Sequence, residues 1–167
     1  DELLPVFTGV RMEIEGDTLS LLATDRYRMA LKEITWTPSG SGGDGAALVP
    51  ARVLGETAKS MTSGEVVTLS LASGGTGDGL IGFEGAGAAG TREITTRLLD
   101  GEFPKVRHLM NVQATVTVRA NTAEVIAAVK RVALVAERNT SLRMLIGDQR
   151  ITLEAATGDQ AQAVEAL

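Results

Sequence analysis

The sequence contains no cysteine, so disulfide bonds and cysteine-ligated metal sites are both excluded. A single histidine, His108, argues against a histidine-based metal centre and against a catalytic triad. Aromatic residues make up only 3% of the chain, and no apolar run approaches the ~18 residues that a transmembrane helix needs. These absences argue against a membrane span and against cysteine- or histidine-based metal sites, and they fit the reducing cytoplasm. We expect no metal and no cofactor.

The composition is nevertheless that of a folding chain. Its 167 residues are 44% hydrophobic and 22% charged, which suits one domain, or one domain and part of another. The acidic start, DELL, is not a signal peptide, and we expect that the given sequence begins inside a longer protein. A formal net charge of −5 argues against non-specific coating of nucleic acid, because such binding depends on many phosphate contacts. It does not exclude a protein whose basic residues are concentrated on one face.

Alternating apolar and polar residues dominate the chain and predict β-strands. In residues 9–23, GVRMEIEGDTLSLLA, one face carries Met12 and Ile14, and the pattern resumes with Leu19 and Leu21 after a short turn. This stretch therefore predicts two strands joined as a hairpin. Further strand patterns occur in residues 28–36, 65–72, 79–85, 91–99 and 114–120.

Two segments have helical periodicity. In residues 49–61, VPARVLGETAKSM, we place Pro50 in the first turn, which is where proline is tolerated. Residues 121–139 give the stronger pattern, with Asn121 or Thr122 as the cap and Glu124 near a capping-box position. The apolar stripe predicted for this second helix is Val125, Ile126, Val129, Val132 and Ala133.

The chain contains an internal repeat. Residues 9–23 align without gaps on residues 141–155, SLRMLIGDQRITLEA, at an offset of 132 positions. Hairpins can share such a pattern by chance, but a duplicated structural unit also explains it. The identical pairs are Arg11 and Arg143, Met12 and Met144, Ile14 and Ile146, Leu21 and Leu153, and Ala23 and Ala155.

A Gly-x-Gly-x-x-Gly pattern, Gly85, Gly87 and Gly90, invites comparison with dinucleotide sites. Such a site needs a helix after the glycines, whereas residues 91–99 alternate like a strand, which indicates a hairpin instead. His108 could serve as a general base, yet no nucleophile motif accompanies it. Asp25 and Asp100 have the surroundings of turn formers.

Four phrases together carry a family resemblance: GVRMEIEGDTLSLLATDRYRMA, VPARVLGETAK, TRLLDGEFPKVR and TVRANTAEVIAAVKRVALVAERN. They resemble the bacterial DNA polymerase III β sliding clamps, in the family's order and through nearly the whole chain. The alanine- and glycine-rich style is similar to actinobacterial members. The resemblance implies that residues 1–110 are the middle clamp domain without its first strand and helix, and residues 111–167 the first half of the last domain.

The resemblance implies an α+β clamp fold, with antiparallel sheets outside and helices lining a central channel, incomplete in this chain. It also implies a non-enzymatic processivity factor that encircles double-stranded DNA. The full-length chain would form a homodimeric ring and act in the cytoplasm, at the nucleoid. The candidate DNA-facing residues are Arg52, Lys59, Lys130 and Arg131, carried over by helix. From periodicity alone, charged residues opposite an apolar stripe are a solvated face, and Arg138 shares that ambiguity.

The family has a pocket that binds Gln-Leu-x-Leu-Phe-type peptides of DNA polymerases and the clamp loader. The matching positions here are Phe7, Thr24, Arg26, Tyr27, Met29, Pro104, His108 and Leu109. Methionine and other apolar side chains suit a site that accepts several partners. Arg28 has no assignment and is as well explained by a structural role. The alternative function, from another class, is a small-molecule-binding or enzymatic β-rich domain that uses the glycine loops and His108.

Overall fold

The computed structural model describes residues 4–39, 44–72, 79–137, 140–157 and 161–167, which form two compact units, Asp1–Val106 and Arg107–Leu167. Three antiparallel sheets and two α-helices make up the described part of the chain. This is the α+β architecture with antiparallel sheets that the family resemblance implies. Within the described ranges, no helix combines the length and the apolarity needed to cross a bilayer.

The first unit contains two sheets and one helix. Its four-stranded sheet has the order β3-β2-β1-β4, and its three-stranded sheet has the order β5-β6-β7. A 3-10 turn, Pro5–Thr8, precedes the first strand. The elements are β1 (Gly9–Glu15), β2 (Thr18–Thr24), β3 (Met29–Thr35), β4 (Gly45–Pro50), α1 (Ala51–Ser60), β5 (Val67–Leu71), β6 (Leu80–Gly87) and β7 (Gly90–Arg97).

One apolar core joins the two sheets and α1. Alternation along β1 and β2 places their apolar side chains on the face that meets this core. Met61, at the end of α1, is buried there, whereas Ala58 in the same helix is exposed. The buried members of this first core are Met12, Ile14, Leu19, Ala47, Val49, Met61, Ile81 and Phe83.

The opposite face of the four-stranded sheet carries a second, smaller core. Leu22 and Leu48 project from the sheet and pack with Phe103. Phe103 belongs to residues 98–106, an irregular segment that we call the strap because it covers this face. Leu99 N–H donates to the Leu48 carbonyl oxygen at 2.8 Å, so the strap is bonded to β4 as well as packed on the sheet.

The second unit has a three-stranded sheet, order β10-β9-β8, and one helix. A 3-10 turn, Arg107–Met110, comes first, and another, Ala133–Val135, follows the helix. The core consists of Ala128, Val132, Leu153 and Ala155. The remaining elements are α2 (Thr122–Val132), β8 (Arg143–Gly147), β9 (Arg150–Thr157) and β10 (Ala161–Ala166).

Asn121 is the N-cap of α2, as predicted, because its Oδ1 accepts hydrogen bonds from the N–H groups of Ala123 and Glu124. The predicted apolar stripe is wrong at two positions: Ile126 is 48% exposed and Ala133 is exposed. The stripe that packs is centred on Ala128 and Val132, which lie four residues apart on one face. Ile126 lies on a neighbouring face.

The strand predicted at residues 114–120 does not form, and the segment has no regular structure. Alternation favours an extended chain, but a strand also requires a neighbour that accepts and donates backbone hydrogen bonds. None of the strands in the described ranges pairs with this segment.

Candidate functional site

The loop between β2 and β3, residues 25–28, is closed by short polar side chains. Thr24 Oγ1 donates to the Arg28 carbonyl oxygen at 2.8 Å and accepts from Arg26 N–H at 3.2 Å. Asp25 Oδ1 accepts from the N–H groups of Tyr27, at 3.1 Å, and Arg28, at 2.7 Å. Threonine and aspartate therefore supply the turn chemistry, and the larger side chains are not needed to close the turn.

Arg28 has a structural role in this loop. Its Nε donates to Asp25 Oδ2 at 2.9 Å, and its Nη2 lies 2.8 Å from the same oxygen. The backbone N–H of Arg28 and then its guanidinium, helped by Tyr27 N–H, lower the pKa of Asp25 to about 2. Asp25 is thus a charged turn former, and Arg28 is the residue that balances it.

Arg26 lies near two aromatic rings. Its backbone φ is +79°, a conformation in which glycine is the usual residue. Its guanidinium carbon lies 5.8 Å from the centre of the Phe7 ring and 5.9 Å from that of Tyr27, which is cation–π distance. Tyr27 is 89% exposed. We call Phe7, Arg26 and Tyr27 the ring platform.

The strap supports the part of the platform that carries Phe7. Thr8 Oγ1 donates to the Pro5 carbonyl oxygen at 2.7 Å and closes the 3-10 turn. Val6, in the same turn, packs against the core that contains Phe103. Gly101 turns the strap at φ +127°, where a side chain would be strained, and Val6 lies 3.8 Å from the position of its missing Cβ. Phe7 therefore lies in a turn that is closed by Thr8 and packs, through Val6, against the strap.

The other predicted peptide-binding residues lie around these elements. Met29 is half-buried as the first residue of β3 and pairs with Thr24. Pro104, also half-buried, follows Phe103, and its carbonyl oxygen accepts from Val106 N–H at 2.9 Å. The structure thus places Arg26 at cation–π distance from both Phe7 and Tyr27 and gives Thr24 and Met29 adjoining positions in the same sheet.

His108 and Leu109 belong to the second unit. Both lie in the 3-10 turn Arg107–Met110, where the His108 carbonyl oxygen accepts from Asn111 N–H at 3.3 Å. His108 is exposed, and Leu109 is 55% exposed, although leucine gains free energy when it is buried. An apolar side chain presented to solvent on a short turn is available to a partner.

The proposed DNA-facing residues differ in how their charges are used. Lys59 and Lys130 are exposed near the ends of α1 and α2. The Arg52 guanidinium is largely exposed and forms an i,i+4 salt bridge with Glu56, at 3.1 Å between Nε and Oε1. Such pairs contribute little to stability, so Arg52 can exchange this partner for another anion.

Arg131 is bound more firmly. Its Nε donates to both carboxylate oxygens of Glu165 in β10, at 3.0 and 3.1 Å, and its Nη2 also contacts Oε1. These hydrogen bonds raise the pKa of Arg131 and lower the pKa of Glu165. The arginine links α2 to the sheet, which makes it the weakest of the four candidates for a phosphate contact. Arg138 lies outside the described residues.

The glycine pattern forms a β-hairpin, as the alternation after it predicts. Gly85 and Gly87 lie in β6, and Gly87 pairs with Gly90 at the start of β7. A Cβ on Gly85 would lie 3.2 Å from Met61, and one on Gly87 3.0 Å from the Ser60 carbonyl oxygen. These glycines therefore let the end of α1 approach β6. Two other glycine-rich loops are SGSGGDG at residues 39–45 and SGGTGDG at residues 73–79. Most of each loop, 40–43 and 73–78, lies outside the described residues.

Sequence reasoning missed three contributors to the site. The Asp25–Arg28 pair was readable from an aspartate followed three residues later by an arginine in a turn. The contact of Arg26 with Phe7 and the anchoring by Phe103 had no periodic signal, since they join residues far apart in the chain. Among the described residues, no group of three or more acidic or histidine side chains is arranged to hold a metal ion.

Comparison with known proteins matches nearly the whole chain to two neighbouring domains of one family. The family described as DNA polymerase III beta subunit, central domain, matches residues 1–105, and the C-terminal domain family matches residues 107–167. The beta sliding clamp of Streptomyces coelicolor is 51% identical over 99% of this chain and 43% of its own length. That of Micrococcus luteus is 47% identical over 100% of this chain and 52% of its own.

Solved structures show the same fold. The DNA polymerase III beta chain from Streptococcus pneumoniae superposes with a TM-score of 0.79 at 22% identity, covering 100% of this chain and 42% of the other. The Bacillus subtilis sliding clamp gives 0.73, also at 22% identity, with 100% and 42% covered. The chain spans about half the length of the curated relatives it matches.

Proposed function

Because this chain belongs to the DNA polymerase III beta subunit family, we propose that it is part of a DNA sliding clamp, a non-enzymatic processivity factor. In this role a ring of two full-length chains encircles double-stranded DNA in the cytoplasm, at the nucleoid. The ring tethers replicative and repair polymerases and is loaded by a clamp loader. The two actinobacterial relatives, both named beta sliding clamp, support this proposal.

The partners dock through short peptides of the Gln-Leu-x-Leu-Phe type. The observation that carries this part of the proposal is the ring platform, where an almost fully exposed tyrosine and a half-buried phenylalanine share one arginine. Exposed aromatic and arginine side chains are typical anchors of protein interfaces. Thr24, Met29 and Pro104 lie in the elements beside the platform. His108 and Leu109 are exposed in the second unit, where they too are available to bind a peptide.

A peptide titration tests this proposal. A fluorescent Gln-Leu-x-Leu-Phe peptide is titrated into a chain extended to the full length of the curated relatives. Met29→Ala and Leu109→Ala should each weaken binding by roughly 1 to 3 kcal/mol, the range for losing an anchor side chain. Met144→Ala, a methionine that is 51% exposed on β8, is the matched control and should bind normally. Equal affinity in all four proteins would contradict the peptide assignment.

DNA binding in this proposal depends on the exposed charges of the helices. Each phosphate contact contributes about 0.9 to the slope of log affinity against log salt concentration, so Lys59→Ala and Lys130→Ala should each lower that slope measurably. Arg131→Ala should change it less, because Glu165 already neutralises that guanidinium. The measurement is the salt dependence of association between the extended chain and duplex DNA. An unchanged slope for both lysine variants would remove the helices from the DNA-facing surface.

A further inference from the structure

The loop between β2 and β3 contains Arg26, whose backbone has the positive φ that usually belongs to glycine. Thr24 and Asp25 close the turn through four hydrogen bonds to backbone groups, and Arg28 balances Asp25. Arg26 contributes its backbone N–H to these hydrogen bonds. A glycine at position 26 would keep that N–H and would also adopt φ +79° without strain.

Elsewhere the chain uses glycine for this kind of backbone. In the described ranges, glycine occupies positive φ at Gly16, Gly90 and Gly101, and the non-glycine cases are Arg26 and Gln149. A side chain kept where glycine is cheaper is explained by what that side chain contacts. For Arg26 those contacts include the rings of Phe7 and Tyr27, which come from two different turns.

We infer that Arg26 is a positioning residue of the peptide site, whose guanidinium holds Phe7 and Tyr27 together as one surface; this inference rests on the proposed function. An exposed tyrosine on a turn has many orientations, and the arginine restricts them before a partner arrives. Such preorganisation increases affinity because less side-chain freedom is lost on binding. A planar guanidinium suits the task better than an ammonium group, since it can stack on aromatic faces.

Three variants separate this role from a merely structural one. Arg26→Gly removes the guanidinium and relieves the backbone. Arg26→Lys keeps the charge and the backbone strain but loses the planar group. Gln149→Gly is the matched control, because Gln149 has φ +52° in the turn between β8 and β9 and so receives the same backbone relief away from the platform. Each variant is studied by denaturant unfolding, peptide titration and NMR.

We expect Arg26→Gly and Gln149→Gly to unfold at the same or higher denaturant concentration than the unsubstituted chain. Only Arg26→Gly should lose peptide affinity, by roughly two- to fivefold, the range for an exposed cation–π contact. Arg26→Lys should fall in between. Nuclear Overhauser contacts from the Arg26 side chain to both rings should be seen in the unsubstituted chain, and the Phe7 ring signals should shift in Arg26→Gly.

Two results would overturn the inference: peptide affinity unchanged in Arg26→Gly, or absence of the contacts between Arg26 and the rings. A protein that shows those contacts but does not bind the peptide in its unsubstituted form would instead count against the proposed function. The NMR measurement therefore judges the platform by itself, and the titration of unsubstituted protein judges the function.

Discussion

The hairpins β1–β2 and β8–β9 have the same pairing but opposite surroundings. Arg11 pairs with Leu22 and Ile14 with Leu19 in the first hairpin. At the predicted offset of 132, Arg143 pairs with Glu154 and Ile146 with Ile151. The repeat seen in the sequence is therefore a repeat in register. Yet Met12 is 3% exposed, whereas its counterpart Met144 is 51% exposed.

The difference lies in what adjoins the two strands. β1 has β2 on one side and β4 on the other, with α1 and the second sheet of its unit over one face. β8 is the edge strand of its sheet, and all five of its residues are exposed. The comparison teaches that alternation and turn length determine which residues pair, whereas burial depends on neighbours supplied from elsewhere in the chain.

The strand that follows each hairpin extends the comparison. β10 pairs with β9 in the second unit as β3 pairs with β2 in the first. At the offset of 132 the register differs by one residue, because Ala23 pairs with Ala30 whereas Ala155 pairs with Ala163. The sequences at the aligned positions also differ, with DRYR at residues 25–28 and TGDQ at residues 157–160. Only the first unit has bulky residues at these sequence positions, and they belong to the peptide site proposed above.

The largest expected effect contrasts the two methionines. Met12→Ala should lower the free energy of unfolding of the first unit by about 2 to 5 kcal/mol, because it leaves a cavity in a closed core. Met144→Ala should cost less than about 1 kcal/mol, since its side chain is half exposed. Urea unfolding followed by Trp36 fluorescence reports the first unit, and amide hydrogen exchange reports the second. Equal losses would contradict the difference in burial.

The second prediction tests the close contact between the segment after α1 and β6, in the part of the unit that packs over the first hairpin. A Cβ on Gly64, just after α1, would lie 2.9 Å from the Cβ of Ala86 in β6, so the backbone would have to move. Gly64→Ala should therefore destabilise the first unit by about 1 to 3 kcal/mol. Gly55→Ala is the matched control in α1, where a Cβ meets nothing within 4 Å; it should stabilise the unit by up to ~1 kcal/mol. Urea unfolding of both variants decides the matter, and a stable Gly64→Ala protein would refute the close contact.

A smaller effect is expected at the paired arginines. Arg11 Nε lies 2.6 Å from Glu13 Oε1 in a half-buried setting, whereas Arg143 Nη1 is 3.9 Å from Glu154 Oε2 and more exposed. Arg11→Ala should cost up to ~1 kcal/mol, and Arg143→Ala should be near zero. Unfolding at low and high salt measures both. A larger loss for Arg143→Ala would mean that the second hairpin has support beyond its own sheet.

The smallest effect is confined to one loop. The pKa of Asp25 is lowered from 3.8 to about 2, so its contribution to loop order is fully present above ~pH 4 and is lost as the pH falls through about 2. The amide shifts of Tyr27 and Arg28 should follow that midpoint in an NMR titration. In Asp25→Asn the same amides should show no such step. A midpoint near 3.8 in the unsubstituted chain would contradict the hydrogen bonds from Arg28.

Much of the fold was predictable because it is local. Alternation predicts β1, β2 and β5 to β7, and a polar residue before an apolar stripe predicts the Asn121 cap. The failures have physical causes. Residues 114–120 are suited to a strand but have no partner strand among the described residues, and Ile126 lies on one of two neighbouring helix faces that the sequence could not rank.

The candidate site was less predictable. The family resemblance supplied its residues, and the sequence predicted Asp25 as a turn former but not its pairing with Arg28. The contact of Arg26 with Phe7 joins residues on two turns separated by β1 and β2, and the strap under Phe7 has neither helical nor strand periodicity. Such contacts depend on tertiary packing, so only the folded chain reveals them.

The shared register also has a consequence for the order of folding. Both hairpins close over two-residue turns, Gly16-Asp17 and Asp148-Gln149, so their pairing requires only short loops to form. Hairpins of this kind form within about 1 to 10 μs, whereas β1 meets β4 only after a much longer stretch of chain has been brought back. We therefore expect each unit to start folding from its own hairpin, β1–β2 or β8–β9, and these two hairpins to form at similar rates. The folding rates of the two units should differ only at the later steps that bring distant parts of the chain together.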